Sequence, residues 1–369
     1  MSGGVDSSVA AALLVEQGYD VIGLMMRLWS EPGKEAHNRC CTPDAMGHAR
    51  HIAESLDIPF YVVDTKDVFH DTIVNFFIDG YASGVTPNPC LECNRHIRWE
   101  FLLNKALSLG AEYLATGHYA RVRKKETTDA KRTDYTDEKE IGGIREISGS
   151  KYQLLKAVDD KKDQSYVLSV MGQAQLRHAM FPVGGYTKTE IRELARKFNL
   201  PVAERPDSQD LCFLSDNDYR RFLTEHAPQV AQPGPIVDSS GKVLGQHQGL
   251  AFYTIGQRKG IGLAAPQPLY VLGTDPACNA LVVGVESELG QTTMRVARIN
   301  WVSGIAPTES FAAEVKVRYK APPRRATITP LDSTRAGVTF EEPVRDITPG
   351  QGAVFYDGDV CLGGGIIQR

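Results

Sequence analysis

The sequence predicts an α/β protein built on a doubly wound parallel sheet, followed by a small central α+β domain and a C-terminal antiparallel β-barrel or sandwich. Three observations predict it. Apolar strands alternate with helices through about residue 120, the pattern of a parallel sheet covered on both faces. The pair Gly3-Gly4 turns the chain straight into an apolar helix. From Pro233 onward the chain breaks into short β runs separated by glycines and prolines, as antiparallel sheets do. The expected boundaries are 1–210 for the parallel-sheet domain, 211–287 for the central domain and 288–369 for the barrel.

The first helix takes the run from Val9 to Val15 and stops at Gly18. Gly3 and Gly4 let the backbone pass close to a ligand. Ser7 and Ser8 supply hydroxyls where the helix begins, and Asp6 can face a metal–phosphate group. Backbone N–H groups at a glycine turn and a helix start attract an anion. Bound phosphate is therefore the reading, although no Gly-Lys-Ser/Thr of the Walker kind is present. An ordinary strand-to-helix turn is the alternative.

Val21–Met26 reads as a strand, and Thr42-Pro43 opens a helix with a cap followed by proline. Phe60–Val63 is expected as a short buried strand ending at Asp64, and Asp67–Tyr81 as a helix. Another helix follows the stretch Thr86–Cys93, with Ile97, Phe101, Leu102 and Ala106 at helical spacing. Tyr113–Thr116 is the next strand, stopping at Gly117-His118. Ligands of such sheets bind at the carboxyl ends of the strands, where Asp6, Met26 and Gly117 all fall. Residues 124–151 carry mixed charge without apolar periodicity and read as a mobile surface insertion. The first domain resumes at Tyr152–Leu155, and Thr187-x-x-Glu190 is a capping box. Later β runs include Tyr270–Leu272, Leu281–Val283, Ala313–Tyr319, Ala353–Tyr356 and Gly363–Ile367.

At 369 residues, 42% hydrophobic and 23% charged, the chain has the composition of an ordinary soluble protein of two or three domains. A net charge of −4 gives no global attraction to a polyanion, so a nucleic-acid partner needs local basic patches. No apolar run is long enough to span a bilayer, and the chain opens on a working motif; no membrane association is expected. Seven cysteines, an odd number, point to reduced thiols in the cytoplasm rather than to a secreted disulfide framework.

Cys90-x-x-Cys93 suits redox chemistry, a metal or cluster, or sulfur transfer. Cys93 directly precedes a helix whose dipole favours the thiolate. Cys212, in a polar loop, is a weak signal alone. Cys40-Cys41 with His48 and His51 is a poor zinc set, since adjacent cysteines ligate badly together and the histidines read as helix surface. Cys278 and Cys361 lie in β-rich segments and are expected in the core. Arg95 and Arg98 with Trp99, Arg258-Lys259, Arg318-Tyr319-Lys320 and Arg324-Arg325 are candidate contacts to RNA. Each of these could also be a plain solvated face.

The opening Ser2-Gly3-Gly4-Val5-Asp6-Ser7 resembles the signature of the PP-loop ATP pyrophosphatases (the adenine nucleotide α-hydrolase-like fold), which leave an adenylated substrate and pyrophosphate. Over essentially the whole chain the ordered motifs resemble the tRNA-specific 2-thiouridylases of the MnmA/TrmU family. They include Thr86-Pro87-Asn88-Pro89, Cys93-Asn94, Ala115-Thr116-Gly117-His118, Lys162-Asp163-Gln164-Ser165-Tyr166, Asp207-Ser208 with Cys212-Phe213, Gly256-Gln257-Arg258-Lys259-Gly260 and Cys361-Leu362-Gly363-Gly364-Gly365. The resemblance implies ATP, Mg²⁺ and conversion of the wobble uridine in a tRNA anticodon arm to 2-thiouridine. It implies a sulfur-donor protein, such as a cysteine desulfurase or persulfide carrier, and a monomer. It places ATP on Met1, Ser2, Gly3, Gly4, Val5, Asp6, Ser7, Met26 and Gly117, with Asp6 serving phosphate and metal. Cys93 matches the nucleophile and Cys212 the persulfide carrier, and the two can close a disulfide as sulfur is released. Asn88, Pro89 and Cys90 sit where the target base is held. His118, Lys162, Asp163, Gln164, Arg318, Tyr319 and Gln351 match tRNA contacts.

Two departures stand out. The family often has Asp at the place of Cys90, so Cys90, Cys93 and Cys212 together offer three ligands for a 4Fe–4S cluster. The strand that should lead into the phosphate loop does not precede Met1, and an upstream start is expected. Two other readings stay open: a PP-loop ligase or amidotransferase that adenylates a carboxylate, and an inactive RNA-binding relic.

Overall fold

The computed structural model describes residues 1–34, 42–125, 152–206, 211–345 and 347–368. The charged insertion expected at 124–151 lies almost wholly outside the described residues, as do Cys40, Cys41, Asp207 and Ser208.

The helix Val5–Glu16 is apolar nearly all round and buries every residue from Ser8 to Leu14, so it is a core helix. Strand Gly23–Arg27 pairs in parallel with Phe60–Asp64, and Leu114–Ala115 pairs in parallel with Ala179–Met180. Among the described residues the parallel sheet thus consists of two pairs, not one continuous array. The Met1 amine donates to the Leu24 carbonyl and ties the glycine turn to the first pair. Phe60–Asp64 departs from the buried strand expected: Tyr61 is 56% exposed and Val62 37%.

The caps read from sequence are present. Thr42 Oγ1 accepts from Ala45 N at 3.0 Å ahead of the helix Pro43–Ser55, and Thr187 and Glu190 cap each other at the head of Lys188–Lys197. The helix expected over 67–81 runs through Lys66–Phe69, the wider π-helical turns His70–Val74, and Asn75–Ala82. Its buried face is Phe69, Ile73, Val74, Phe77 and Tyr81.

The central segment forms a four-stranded sheet in the order Val243–His247, Gly234–Val237, Ala280–Gly284, Tyr270–Asp275, backed by the helix Tyr219–His226. Its core is continuous with that of the first domain. Phe222, Ile236, Val271 and Leu281 pack in one cluster with Leu28, Phe69, Ile73 and Phe77.

The C-terminal strands close into a six-stranded antiparallel barrel: Gln291–Trp301, Ala336–Val344, Arg324–Pro330, Phe311–Lys316, Gly352–Asp357 and Val360–Ile367, sealed by pairing of Val296 with Ile367. Inward side chains such as Val315, Ile328, Val338 and Phe355 fill it. The hairpin Arg121–Lys124 with Tyr152–Leu155, which precedes the central domain, extends this sheet by pairing Val360 with Leu155. First domain and barrel are therefore hydrogen-bonded into one sheet. Cys361 is 1% exposed, as expected of a core residue. Cys278 is exposed instead, because it sits on the turn between two central strands, where its N–H bonds Asp275 Oδ1. No helix among the described residues is long and apolar enough to cross a membrane.

Candidate active site

The phosphate loop is shaped by two close approaches. Gly3 has φ +69°, and a Cβ there would meet the Ala45 carbonyl at 2.9 Å. A Cβ on Gly117 would come within 2.7 Å of Ser7 N and 2.8 Å of the Asp6 carbonyl carbon, so the strand end is packed onto the first helical turn. No side chain caps that helix. Ser7 Oγ and Ser8 Oγ both turn back to the Gly4 carbonyl, at 3.2 and 2.8 Å, rather than reaching the N–H groups as cap hydroxyls would. An uncapped helix start of this kind suits an anion.

Asp6 Oδ1 accepts from Tyr119 Oη and from Lys188 Nζ, each at 2.7 Å. Arg205 Nη1 donates to the Gly3 carbonyl at 2.7 Å. Sequence reading missed Tyr119, Lys188 and Arg205; the one available signal was that Lys188 opens a capped helix. For Mg²⁺ the donor set fits: the ion takes one or two carboxylates and completes its shell with substrate phosphates and water, and Asp6 supplies a carboxylate. Met26, half-buried at the end of its strand, packs against the core.

The cysteines stand on a turn built by Asn88. Its Oδ1 accepts from Leu91 N at 3.3 Å, and Pro89 fills the first turn of Pro89–Glu92. Cys93 begins the π-helical run Cys93–Leu102. Asn94 Nδ2 donates to the Cys90 carbonyl at 3.0 Å and locks the two cysteine positions together. Cys90 is exposed, yet enough protein surrounds it that desolvation raises its thiol pKa, against a smaller lowering by the Arg98 guanidinium. Cys93 and Cys212 are both half-buried and pack against the same apolar cluster, so the fold brings these distant residues onto one core.

Beside Cys90 the three domains meet. Tyr166 donates to the Gly352 carbonyl at 3.0 Å and lies near Asn88 and Arg318. Gln351 Nε2 reaches the carbonyls of Thr86 and Pro87, and Arg318 Nη2 bonds the Ile255 carbonyl at 2.8 Å and Thr348 Oγ1. A cavity of about 580 Å³ opens at the same junction, between Thr86, Tyr253, Thr293 and Arg295. Its lining includes neither Asp6 nor Cys93 nor Cys212.

A family model described as "tRNA methyl transferase HUP domain" matches residues 1–216, one described as "tRNA methyl transferase PRC-barrel domain" matches 220–285, and one described as "Aminomethyltransferase beta-barrel domain" matches 291–367. The protein called "tRNA-specific 2-thiouridylase MnmA" of Roseiflexus castenholzii is 47% identical over 370 residues, spanning 100% of this chain and 98% of its own. The protein of the same name from Carboxydothermus hydrogenoformans is 46% identical over 372 residues, covering 100% of this chain and 96% of that one. The chain belongs to the MnmA family. The relative of Acetivibrio thermocellus, with the same name, is 43% identical over 371 residues, 100% of this chain and 98% of its own.

The residues that the family resemblance matches to tRNA contacts differ in exposure and in the partners they already hold. His118 is 5% exposed; Arg98 Nη1 donates to its Nε2 at 2.7 Å, which leaves the proton on Nδ1, 2.8 Å from Thr116 Oγ1. Asp163 is 6% exposed and is satisfied by Ala157 N, Ser165 N and Ser165 Oγ. Pro89 and Trp99 are buried, and Trp99 is core rather than a stacking surface. Gln164 bonds Tyr119 N through Oε1 at 2.9 Å, and Arg318 and Gln351 bind segments of this chain. Tyr319 is 37% exposed, Lys320, Arg324 and Arg325 lie open on the surface near it along the chain, and Arg258 and Lys259 are exposed as well. His48 and His51 are exposed helix residues, as expected.

Proposed function

We propose that the chain is a tRNA-uridine 2-sulfurtransferase working by adenylation and persulfide transfer. The observation that carries the reading is the packing of Cys93 and Cys212 against one cluster, in a chain that also has an uncapped helix start suited to phosphate and full-length MnmA relatives. Uridine O2 attacks the α phosphorus of ATP, and pyrophosphate leaves. The terminal sulfur of a Cys212 persulfide attacks C2; the C2–O2 bond breaks, and AMP departs with the oxygen. Cys93 thiolate then attacks the Cys212 sulfur, leaving sulfur on C2 and a Cys93–Cys212 disulfide, which an external dithiol reduces with two electrons.

Magnesium bound with ATP would neutralise the departing pyrophosphate. Asp6 is the carboxylate placed to hold it, and Lys188 and Tyr119 orient that carboxylate. Met1–Ser7, Met26 and Gly117 line the nucleotide, while Asn88 and Cys90 face the base. Lys162, Tyr319 and the exposed basic residues of 258–259 and 320–325 meet the tRNA backbone, and a persulfide donor of the cytoplasm loads Cys212. A 4Fe–4S cluster on Cys90, Cys93 and Cys212 would need the same thiols that carry and resolve the persulfide. The persulfide route is the reading adopted.

The deciding experiment is mass spectrometry of nucleosides from tRNA treated with the protein, ATP, Mg²⁺ and a persulfide donor. 2-Thiouridine that depends on ATP is expected. An adenylated carboxylate product with unmodified tRNA would replace this reading with the ligase one.

A further inference from the structure

Glu31 lies four residues beyond the strand Gly23–Arg27, whose carboxyl end carries Met26 at the nucleotide site. It is 3% exposed, an unusual place for a carboxylate. Arg221 grips it bidentately, Nη1 at 2.7 Å and Nη2 at 2.8 Å, and Lys34 Nζ adds a bond at 3.0 Å. Ser215 donates its N–H at 3.3 Å and its hydroxyl at 3.1 Å to the same carboxylate. Ser215 stands three residues after Cys212. Arg221 also holds Asp216 through Nε at 2.7 Å, so the chain just beyond Cys212 is fastened at two points.

The apolar side of this knot is equally built. Trp29 packs edge-on against Phe222, with centroids 6.3 Å apart. Phe213, the neighbour of Cys212, meets Phe77 at 5.2 Å and Phe222 at 5.8 Å. Glu31, Glu225 and His226 are the one group of three candidate metal donors gathered within 4.8 Å among the described residues, but Arg221 and Lys34 already meet both carboxylates. The knot is an ion-pair joint between the nucleotide strand and the Cys212 loop.

We infer that Glu31 is a positioning residue for sulfur transfer: through Ser215 and Arg221 it sets where sulfur carried by Cys212 meets the activated base. This rests on the reading of Cys212 as the sulfur carrier. A misplacement of about 1 Å at the reacting atom can cost on the order of a hundredfold in rate. Adenylation uses Asp6 and the phosphate loop, to which Glu31 makes no bond, so the two half-reactions should separate.

The test is single turnover with tRNA, ATP and full-length protein loaded beforehand with persulfide, following pyrophosphate and 2-thiouridine together. For Glu31→Gln, pyrophosphate release is expected within about twofold of wild type, and thiolation slowed about tenfold or more, with partial recovery in Glu31→Asp. Ser215→Ala, which removes one hydroxyl and leaves the Arg221 pair, should slow thiolation selectively too; it decides the matter if Glu31→Gln melts below the assay temperature. Equal losses in both half-reactions, or loss in neither, would overturn the inference. Normal thiolation by Cys212→Ser would remove the carrier reading, and the inference with it, whatever Glu31 variants do.

Discussion

Lys188 Nζ lies 2.7 Å from Asp6 Oδ1, so the carboxylate of the phosphate loop is met by a cation from a helix that begins far along the chain. Tyr119 Oη shares the same oxygen. The Lys188 side chain is 13% exposed and that of Asp6 31%, and partial burial of this kind makes the pair sensitive to loss of either partner.

A ligand that brings Mg²⁺ to Asp6 must share or displace Lys188, whose ammonium then faces the phosphates. Lys188→Met is expected to lower kcat/KM for pyrophosphate release by about ten- to a hundredfold, and Asp6→Asn to remove most of it. Isotope-labelled ATP analysed by chromatography checks both. AMP and pyrophosphate should form only with tRNA and Mg²⁺, and ADP as main product would contradict the assignment.

Cys93→Ser and Cys212→Ser should each abolish 2-thiouridine formation, because a hydroxyl neither carries persulfide sulfur nor resolves it. Adenylation of tRNA should persist in both, since it depends on the phosphate loop. Nucleoside mass spectrometry beside a pyrophosphate assay reads the two activities; normal thiolation by either variant would break the relay.

Burial would raise the Glu31 pKa, but hydrogen bonds from Arg221, Lys34 and Ser215 outweigh it and bring the group to about 2 from an ordinary 4.5. A carboxylate depressed on folding stabilises above its unfolded pKa and loses that contribution as pH falls through the folded one. The gap in melting temperature between wild type and Glu31→Gln should therefore be full above about pH 5 and shrink toward pH 2. Thermal melts across that range test it, and a gap independent of pH would show that the carboxylate charge is not what holds the joint.

Burial, and secondarily the Arg98 guanidinium, hold the His118 ring well below its usual 6.5. The unfolded chain then takes up a proton that the native state refuses, so acid below about pH 6.5 costs stability through this residue. Its imidazole resonances in NMR should stay in the neutral form between pH 5 and 8. Titration near 6.5 would mean that the burial of the ring is not kept in solution.

Cys90→Ala should keep most thiolation, and protein reconstituted anaerobically with iron and sulfide should turn over no faster than iron-free protein. Iron analysis with visible absorption settles the point. Iron bound by all three cysteines together with Cys90-dependent activity would favour the cluster instead.

The local devices were legible because their causes are local. Gly3-Gly4 running into an apolar helix, Thr42-Pro43, Thr187-x-x-Glu190 and the alternation of barrel strands each follow from dihedral limits, orphan N–H groups or the two-residue period of a strand. The thiol pair Cys90 and Cys93 was equally visible, one helical turn apart. What sequence could not show was burial and partnership at long range. His118 and Asp163 look like polar contacts in a motif, yet their partners Arg98 and Ala157 enclose them.

The sequence by itself determined the fold class, the phosphate turn and the family, since these depend on residue type and spacing along the chain. Only the tertiary structure decided that Lys188 answers Asp6, that Arg221 answers Glu31, and that Cys212 shares a core with Cys93. The physical reason is that charge pairing and apolar packing act over a few ångströms of space. Residues nearly two hundred positions apart become neighbours only when strands and helices have been laid together.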